Sequence, residues 1–548
     1  MATTKPVIIV GGGPVGLAAA LELARFGVRT VLLEQRDTTS WHPKTRNVNT
    51  RTMEIARGWG RSVYERLRGI DTPEGWKSPI RFLRSVVGEE LGRIESNGFV
   101  GPGPDVSPAL PVMSSQDLME QILCDAARAT GLVDLRFGHR AQAMRQAEGD
   151  TSVEVLVKAT GEQYAVSGAA IVAADGVDSI IREQLGVALE GSKDLSHFVN
   201  CYFRSDVERY VGDRRGVLFF VANEHAAGVL QPLDARGRWL CQIAVSAEQW
   251  DVEVFNAERC KSWIRGAVGV EDLHPEIISI GRWRMNATVA DRLVHGRVVL
   301  VGDAAHQFPP TGGLGVNTGL QGMHNAMWKL AFHVLGHAGR ALLESYDAER
   351  RPVACWTAEQ SLQNHRHVQM IVVAALAGLA NPSDPADVVT AARRYGNHLG
   401  VEFGSVYRSS AVIPDGTTPP EVADTYSDYA PSACPGCRAP HAWLGRNDER
   451  LSTIDLFGAG FTLLTGPDGR AWRAAAADSE ARYAVPVACY AIGDPGLEDR
   501  DGVFFDRYGI DASGAVLVRP DGYVAWRTRR ADEASLAGLG PAIGQILG

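Results

Sequence analysis

Residues Pro6–Glu34, PVIIVGGGPVGLAAALELARFGVRTVLLE, decide the fold of the N-terminal part of the chain. The apolar run Pro6–Val10 predicts a buried strand, Leu17–Phe26 has the composition of a helix, and Thr30–Leu33 predicts a second strand. A strand, a helix and a strand in this order form a β-α-β unit, in which the two strands are parallel neighbours. The chain therefore begins with an α/β domain.

The turn between the first strand and the helix carries the pattern Gly11-x-Gly13-x-x-Gly16. Glycines let the backbone approach a pyrophosphate closely, and the N–H groups at the helix start stabilise its negative charge. Glu34 ends the second strand, where a carboxylate can accept hydrogen bonds from a ribose diol. The alternative is a turn that needs glycine for packing alone. The pattern favours a dinucleotide site, leaves FAD and NAD open, and predicts these cofactor residues: Gly11, Gly13, Pro14, Val15, Gly16, Glu34 and Gln35.

Two later motifs, each directly after an apolar run, favour FAD. They are Asp175–Arg182, which reads DGVDSIIR, and Gly302–Asn317, which reads GDAAHQFPPTGGLGVN. A carboxylate such as that of Asp303 can accept a hydrogen bond from a ribityl hydroxyl, and the Gly/Pro segment offers bare backbone beside a flat ring. A helix that starts near Val316 would point its positive end at that ring and stabilise a reduced, anionic flavin.

The rest of the chain divides into regions that differ in their pattern of apolar, aromatic and proline residues. Between about 186 and 285, short apolar and aromatic runs alternate with turns, which predicts a mostly antiparallel sheet. A proline-rich stretch without apolar period predicts a linker. The predicted divisions are a FAD-binding domain over 1–185 (with an excursion towards the substrate side at about 75–112), a substrate-binding sheet over 186–285, the second part of the FAD-binding domain with helices over 286–404, a linker over 405–440 and a small α/β domain over 441–548.

Composition excludes several classes of protein. The chain has 548 residues, 45% of them hydrophobic, and a net charge of −9, so general disorder and nucleic-acid binding are not expected. The longest apolar run, Met370–Ala380, is too short to span a bilayer, and no signal segment precedes the first strand, which predicts a cytoplasmic protein without a membrane partner. Eight scattered cysteines indicate no disulfide framework, and no metal site is predicted.

In this order and spacing, the three motifs resemble those of the FAD-dependent aromatic hydroxylases of the para-hydroxybenzoate hydroxylase type (class A flavoprotein monooxygenases). The resemblance is closest to the larger phenol-monooxygenase-like and polyketide-hydroxylase-like members. Gly319–Leu330, Leu342–Pro352 and Arg438–Leu444 also look like family segments. The resemblance implies a Rossmann-like FAD-binding domain, an antiparallel-sheet substrate domain and a thioredoxin-like C-terminal domain.

One departure from the family is visible on the predicted helix after the flavin loop. The family often has Asp-Ala-x-Asn-Leu-x-Trp-Lys-Leu there, whereas this chain has Gly322-Met-His-Asn-Ala-Met-Trp-Lys-Leu330. The acidic residue is missing, so any role that it has in the family is in doubt here.

The resemblance also implies roles for individual residues. Arg46 would lie near the flavin phosphates, Gln116 near the flavin chain, and Asp303 at the ribityl group. Asp175 would belong to a fingerprint that links FAD binding to the use of NAD(P)H. No side chain is predicted to be catalytic with certainty, because the flavin carries the chemistry. The backbone at the pyrimidine edge and the loop beside the ring are predicted to be formed by Gly315, Val316 and Asn317, and by Pro310 and Gly313.

The implied activity is hydroxylation of a phenolic or polycyclic aromatic molecule, such as a natural product, through a flavin C4a-hydroperoxide. NAD(P)H would be a transient co-substrate and O₂ the oxidant. An FAD-dependent dehydrogenase or reductase on the same scaffold, without oxygen insertion, is the alternative. A further alternative concerns the C-terminal module, which would serve only interaction or dimerisation; a homodimer is left open.

The substrate is expected between the flavin loop and the antiparallel sheet, although ordinary sheet core is the alternative for each residue. The candidates are Phe203, Phe220, Gln231, Trp239, Gln242, Met285, Asn286 and Pro310. Cys434-Pro-Gly-Cys437 is a C-x-x-C pattern, but it precedes the small domain's first strand instead of opening a helix. Thioredoxin-type redox chemistry is therefore not expected from it.

Overall fold

The computed structural model describes residues 5–147, 150–251, 253–376, 393–447 and 449–548. Part of the predicted helical region and the end of the apolar run Met370–Ala380 lie outside the described residues. The strands are β1 (Val7–Val10), β2 (Thr30–Glu34), β3 (Asn47–Val48), β4 (Ile80–Leu83), β5 (Glu90–Ile94), β6 (Val112–Met113), β7 (Val133–Phe137), β8 (His139–Ala147), β9 (Asp150–Val157), β10 (Gln163–Gly168), β11 (Ala170–Ala173), β12 (Leu189–Arg204), β13 (Leu218–Ala222), β14 (Ala227–Pro232), β15 (Arg238–Val245), β16 (Glu276–Ala290), β17 (Val294–His295), β18 (Val298–Leu300), β19 (His306–Gln307), β20 (Trp443–Arg446), β21 (Glu449–Ser452), β22 (Phe461–Thr465), β23 (Val487–Ala491), β24 (Glu498–Asp499), β25 (Ala515–Val518) and β26 (Val524–Thr528).

The helices are α1 (Pro14–Arg25), α2 (Thr50–Arg57), α3 (Arg61–Gly69), α4 (Asn97–Val100), α5 (Gln116–Ala129), α6 (Ile180–Gln184), α7 (Glu208–Val211), α8 (Ala257–Val268), α9 (Gly315–Val334), α10 (Arg340–Leu376), α11 (Leu399–Phe403), α12 (Arg470–Tyr483), α13 (Phe504–Tyr508) and α14 (Glu533–Leu547).

The first unit is a six-stranded sheet in the order β17-β18-β11-β1-β2-β7. All neighbours are parallel except β17, which pairs with β18 antiparallel at the edge. All residues of β1 and β11 are buried, as in parallel sheets whose two faces are both covered. Helix α1 packs against both α5 and α9. The predicted α/β fold class is confirmed.

The second unit is an eight-stranded sheet in the order β19-β16-β12-β15-β14-β13-β4-β5, antiparallel except for the pair β13–β4. One face packs against α8 in a closed apolar core. The other face contacts α10. Strand β19 lies within the glycine-rich motif Gly302–Asn317 and pairs with β16. The motif is therefore joined to both sheets.

The third unit contains the four-stranded sheet β23-β22-β25-β26. Strands β22 and β23 are parallel and are connected through α12, whereas β25 and β26 are antiparallel. Helices α12 and α14 pack together beside this sheet. The thioredoxin-like assignment of this unit stays a prediction.

The proline-rich segment 405–440 contains no helix or strand, but it is not a free tether. The side chains of Tyr407, Tyr426 and Arg438 in it are buried, and Arg438 forms an ion pair with Glu54 of α2. The segment is therefore packed between the units that it connects.

None of the helices in the described part of the chain is long and apolar enough to cross a membrane. No group of His, Cys, Asp and Glu side chains there could hold a metal ion. All eight cysteines are free, and burial, with its neighbour Cys434, raises the pKa of the Cys437 thiol to about 12. A thiol with such a pKa is a poor nucleophile.

Candidate functional site

The glycines of the first turn have different physical roles. Gly11 has a φ of 105°, and a Cβ atom on it would lie 2.2 Å from the carbonyl oxygen of Ala174. A Cβ on Gly16 would lie 2.0 Å from the carbonyl oxygen of Gly11. A Cβ on Gly13 would meet nothing within 4 Å. Packing therefore requires glycine at 11 and 16, whereas Gly13 faces open space at the start of α1, where a pyrophosphate can approach.

Glu34 lies at the end of β2 with its carboxylate engaged by protein donors. It accepts hydrogen bonds from the N–H of Gly12 at 2.7 Å, the N–H of Arg36 at 2.8 Å and the Nε of Arg36 at 3.0 Å. Burial alone would raise the pKa of Glu34, but the hydrogen bonds and charge of Arg36 lower it. The carboxylate is ionised and can accept a ribose hydroxyl. Gln35, by contrast, is exposed.

A buried carboxylate connects this position with Gln116. Glu120 accepts hydrogen bonds from the Ser40 N–H at 2.7 Å, from Arg36 at 3.3 Å and from the Gln116 side-chain amide at 2.6 Å. Gln116 is the first residue of α5, and Glu120, one helical turn later, holds the side chain of Gln116 in place. Sequence reasoning missed Arg36 and Glu120.

Arg46 is a buried cation without a counter-ion among the described residues. Its Nη1 donates to the carbonyl oxygen of Val217 at 3.0 Å, whereas Nε and Nη2 have no partner there. Burial lowers the pKa of Arg46 to about 9. An unpaired guanidinium is costly to bury, and a phosphate would supply the missing acceptors. This orphaned group fits the predicted cofactor.

Asn47, next to it in β3, was not assigned a role from the sequence. Its side-chain Oδ1 and Nδ2 are both buried without partners in the described part of the chain. A Cβ atom added to Gly313 would lie 2.8 Å from the Cβ of Asn47. The amide therefore lies beside the glycine loop, where the edge of a flavin ring has both donors and acceptors to offer.

The glycine loop ends at the start of α9 and is held by the side chain of Asn317. Its Nδ2 donates to the carbonyl oxygens of Asn47 at 2.9 Å and Gly313 at 2.8 Å. Its Oδ1 accepts from the Asn49 N–H at 2.9 Å and from the Thr52 hydroxyl at 2.8 Å. The side chain is thus used within the protein. The N–H groups of the first helical turn, Gly315 to Asn317, have no intrahelical acceptors by geometry and are available to a ligand.

Asp303 lies in a short 3₁₀ turn, Gly302–Ala304, directly after β18. The residue is exposed, but desolvation by the surrounding protein raises the pKa of the carboxyl, against the lowering effect of Lys44. The carbonyl oxygen of Ala304 accepts a hydrogen bond from Arg182 at 3.1 Å. The second and third motifs therefore meet at this turn.

The carboxylate of Asp175 is used locally. It accepts hydrogen bonds from the Ser179 hydroxyl at 2.5 Å and the Ile181 N–H at 3.2 Å, at the start of α6. Burial raises the pKa of Asp175. Its direct contacts fold the turn, so a part in NAD(P)H use remains a prediction.

The substrate candidates do not all share one face of the eight-stranded sheet. Phe203 and Trp239 are fully buried in the closed core with α8, where Trp239 meets Trp76 edge to face at 6.2 Å. They are core residues, which corrects the sequence-based expectation. Side chains alternate along a strand, so these two point away from the flavin loop. Asn286 is taken by Gln307, to which its amide donates at 2.7 Å.

The opposite face carries the remaining candidates. Phe220 stacks on Phe82 at 4.9 Å and meets Tyr395, whose hydroxyl lies near the backbone of Gly312 in the glycine loop. Leu230 and Cys241 point into the core with α8, so the next residues along their strands, Gln231 and Gln242, point to the opposite face. Met285 lies two residues from Trp283 and therefore shares its face. The candidates on it are Phe220, Gln231, Gln242 and Met285, whereas Pro310 lies exposed on the loop itself.

This face also carries residues that the sequence did not single out. The Trp283 indole N–H donates to Asn200 at 2.7 Å, and its ring stacks on Phe198 at 4.5 Å. Tyr202 accepts a hydrogen bond from Arg238 at 2.9 Å. Strand register, which the sequence does not show, is the signal that would have found them. Aromatic rings and amides thus lie on the face of the sheet opposite α8, the face to which Phe220 belongs.

Four features together define an FAD-binding oxidoreductase. They are the open space at Gly13 in the β-α-β turn, the ionised carboxylate of Glu34, the unpaired cation of Arg46 and the helix start behind the glycine loop.

The comparisons with known proteins agree. Residues 4–361 match the family model of the FAD binding domain, and residues 432–548 match that of the aromatic-ring hydroxylase C-terminal domain. The chain is 36% identical to tetracenomycin A2 monooxygenase-dioxygenase of Streptomyces glaucescens (99% of this chain, 96% of that protein). It is 32% identical to 2,4-dichlorophenol 6-monooxygenase of Delftia acidovorans (99% and 98%).

A solved structure gives the same result. The flavin-dependent monooxygenase PieE, in complex with FAD and substrate, superposes with a TM-score of 0.92 at 33% identity, covering 100% of this chain and 99% of that one. The chain belongs to the family of FAD-dependent aromatic-ring hydroxylases. It is a flavoprotein monooxygenase that uses FAD, with NAD(P)H as the co-substrate.

Proposed function

We propose that this enzyme inserts one oxygen atom from O₂ into a ring of a polycyclic aromatic substrate that bears a phenolic hydroxyl. The observation that carries the proposal is the face of the eight-stranded sheet opposite α8, here called the flavin-side face, which carries aromatic side chains and the amides of Gln231 and Gln242. Phe220 on this face contacts Tyr395, which lies near Gly312 of the glycine loop. Identity to the tetracenomycin enzyme, at 36%, exceeds that to the dichlorophenol enzyme, at 32%, which supports a polycyclic rather than a single-ring substrate.

Several residues of this chain would bind and orient FAD. Arg46 would pair with the phosphates, Glu34 with the adenosine ribose and Asp303 with the ribityl chain, while Asn47 would contact the ring edge. When bound, FAD accepts hydride from NAD(P)H and activates O₂. The backbone N–H groups at the start of α9 would stabilise negative charge on the reduced ring. We further propose that the enzyme acts in the cytoplasm, where NAD(P)H is available.

The flavin-side face of the sheet would bind the substrate and exclude water. Phe82, Phe220 and Met285 are nearly fully buried, so they form a dry wall. Dryness matters because water that reaches the activated oxygen diverts it to H₂O₂. The side-chain amides of Gln231 and Gln242 can each hold a carbonyl or hydroxyl group of the substrate, which fixes the ring to be attacked.

The test is product labelling. The FAD-loaded enzyme is given NADH or NADPH under ¹⁸O₂, with a tetracyclic phenol in one reaction and a monocyclic phenol in another. We expect faster NAD(P)H oxidation with the tetracyclic compound and one ¹⁸O atom in its product. Turnover without label in any product would contradict the proposal and favour the dehydrogenase or reductase alternative. Equal stimulation by the monocyclic phenol would contradict the polycyclic assignment.

A further inference from the structure

Arg350 of α10 is a second buried cation without a counter-ion in the described part of the chain. It is 2% exposed. Its Nη1 donates to the Tyr407 hydroxyl at 3.0 Å and its Nη2 to the carbonyl oxygen of Thr318 at 3.3 Å, while Nε has no partner among the described residues. Both acceptors are neutral. The charge is therefore hydrogen-bonded but not neutralised.

The absence of an acidic residue on α9 explains why the charge of Arg350 is not neutralised. Gly322 stands where the family often has aspartate. A Cβ atom on Gly322 would lie 3.7 Å from Nε of Arg350 and 3.6 Å from the Tyr346 hydroxyl, so a side chain would fit. An aspartate carboxylate starting there would reach the orphaned N–H.

The nearby acids are already committed to other cations. Glu349, the neighbour of Arg350 in α10, pairs with Lys329 at 2.7 Å and with Arg519 at 2.6 Å. Asp521 pairs with Arg519 at 2.5 Å. These two acids balance two cations, which leaves the charge of Arg350 uncompensated.

The charge lies behind the part of α9 that faces the cofactor site. Arg350 contacts α9 at the carbonyl oxygen of Thr318 and beside Gly322, which lie three and seven residues, or about 5 and 10 Å, beyond the helix start at Gly315. The same charge acts on β19, which follows the turn that contains Asp303. Burial, assisted by Arg350, lowers the pKa of His306, three residues beyond Asp303, to about 3.

We propose that the unpaired charge of Arg350 adds to the positive end of α9 and thereby raises the reduction potential of the bound flavin. Reduction places a negative charge on the ring, so a nearby uncompensated cation stabilises the reduced form more than the oxidised form. This rests on the flavin site described above. It predicts that this chain holds a more easily reduced flavin than a version that carries the acidic residue.

The test compares Gly322→Asp with Gly322→Asn, which has nearly the same shape but no charge. The potential of the FAD-loaded proteins is measured by equilibration with a reference dye. We expect the ratio of reduced to oxidised flavin at a fixed potential to fall about tenfold in G322D, which is about 30 mV for two electrons, and to change less than about twofold in G322N. Equal potentials in the two variants would overturn the proposal.

A second variant guards against misfolding of the first. Arg350→Gln removes the cation instead of neutralising it, and we expect it to lower the potential in the same direction. A potential that rises in R350Q would overturn the proposal.

Thermal unfolding without added FAD separates this inference from the proposed function. G322D should unfold at a higher temperature than G322N whether or not flavin binds, because the new carboxylate pairs with a buried cation. A parent protein that takes up no FAD would instead contradict the flavoprotein assignment.

Discussion

Arg519 of the C-terminal unit donates two hydrogen bonds to the carboxylate of Glu349 on α10, at 2.6 and 2.9 Å, and neither side chain is exposed. Lys329 of α9 donates to the same carboxylate at 2.7 Å. Burial alone would raise the pKa of Glu349, and the charges of Arg519 and Lys329 instead hold it well below its usual range. The C-terminal unit is therefore joined to the two helices α9 and α10 through charges that have no access to water.

The first prediction concerns this ion pair. Arg519→Ala takes one of two cations away from Glu349, leaving it Lys329 and the neutral donors Asn325 and Ser409, and it removes the cation that pairs with Asp521. Breaking one partner out of a buried ionic cluster costs about 3–5 kcal/mol. We expect the free energy of unfolding to fall by that amount in urea titrations. The control is Arg530→Ala, because Arg530 pairs with Asp511 at the surface, where its side chain is 84% exposed. That change should cost less than about 1 kcal/mol.

The same pair bears on the alternative that the C-terminal module serves only interaction. Removal of residues 441–548 would leave Glu349 and Lys329 exposed together with Trp328 and Phe332, because it takes away the apolar side chains that cover those two rings. A truncated chain that kept the parent's unfolding temperature and flavin spectrum would show that the docking is dispensable.

The second prediction concerns Arg46. Among the described residues, Arg46 donates to the carbonyl oxygen of Val217 alone, and its Nε and Nη2 atoms are free for an anion; Arg46→Gln removes this charge. A hydrogen bond to a charged group contributes about 2 kcal/mol, so we expect the Kd for FAD to rise about 30-fold in fluorescence titrations. The apo form should not lose stability, since the charge has no counter-ion there. The control is Arg93→Gln on β5, whose exposed side chain pairs with Glu90 and Glu95; a similar loss of FAD affinity in R93Q would refute the assignment.

The third prediction concerns pH. Glu22 of α1 accepts hydrogen bonds from His324 of α9 at 2.9 Å and from the Trp59 indole at 2.6 Å. Burial raises the pKa of Glu22, but Arg25 and His324 together lower it from 4.5 to about 2. A carboxyl with a lowered pKa stabilises the fold fully above pH 4.5, and this stability is lost as the pH falls towards 2.

The measurement is denaturant unfolding of the parent and Glu22→Gln between pH 6 and pH 2.5. Two to three pKa units correspond to about 3 kcal/mol, so the parent should lose roughly that much more stability over this range than E22Q does. Glu258→Gln is the control, because Glu258 is exposed and pairs with Lys261 at the surface. If E22Q and the parent lost stability in parallel, the ionised Glu22 would not be a stabilising group.

The sequence predicts those features that are local along the chain. The glycine turn, the carboxylate at the end of β2 and the start of α9 after the glycine loop all depend on residues within one strand-turn-helix segment. The sequence does not predict contacts between distant residues. Arg36 and Glu120 meet across 84 positions, and Arg519 and Glu349 across 170. Neither pair leaves a pattern that a single sequence shows.

The faces of the substrate sheet were only partly predicted, for a related reason. Alternation tells which side chains share a face within one strand, but not which face is closed by a helix. Phe203 and Trp239 were expected at the pocket, although α8 covers their face. Register shifts in β12 and β16 add to this, because a slip of one residue exchanges the two faces.

The fourth prediction uses two neighbouring residues on β13 that have opposite surroundings. Phe219 packs in the closed core against Trp239, with ring centroids 6.0 Å apart, whereas Phe220 contacts Tyr395 on the side of the glycine loop. Phe→Leu removes about the same volume at both positions, so each variant should lose a similar 1–2 kcal/mol or so of stability. Only Phe220→Leu should raise KM for the aromatic substrate, by about 3- to 10-fold, and increase the fraction of NAD(P)H oxidised to H₂O₂ instead of product, because only its ring faces the reacting side. Steady-state kinetics with a peroxide assay measures both. If F219L uncoupled the reaction as much as F220L, the substrate would not bind on the face that contacts the glycine loop.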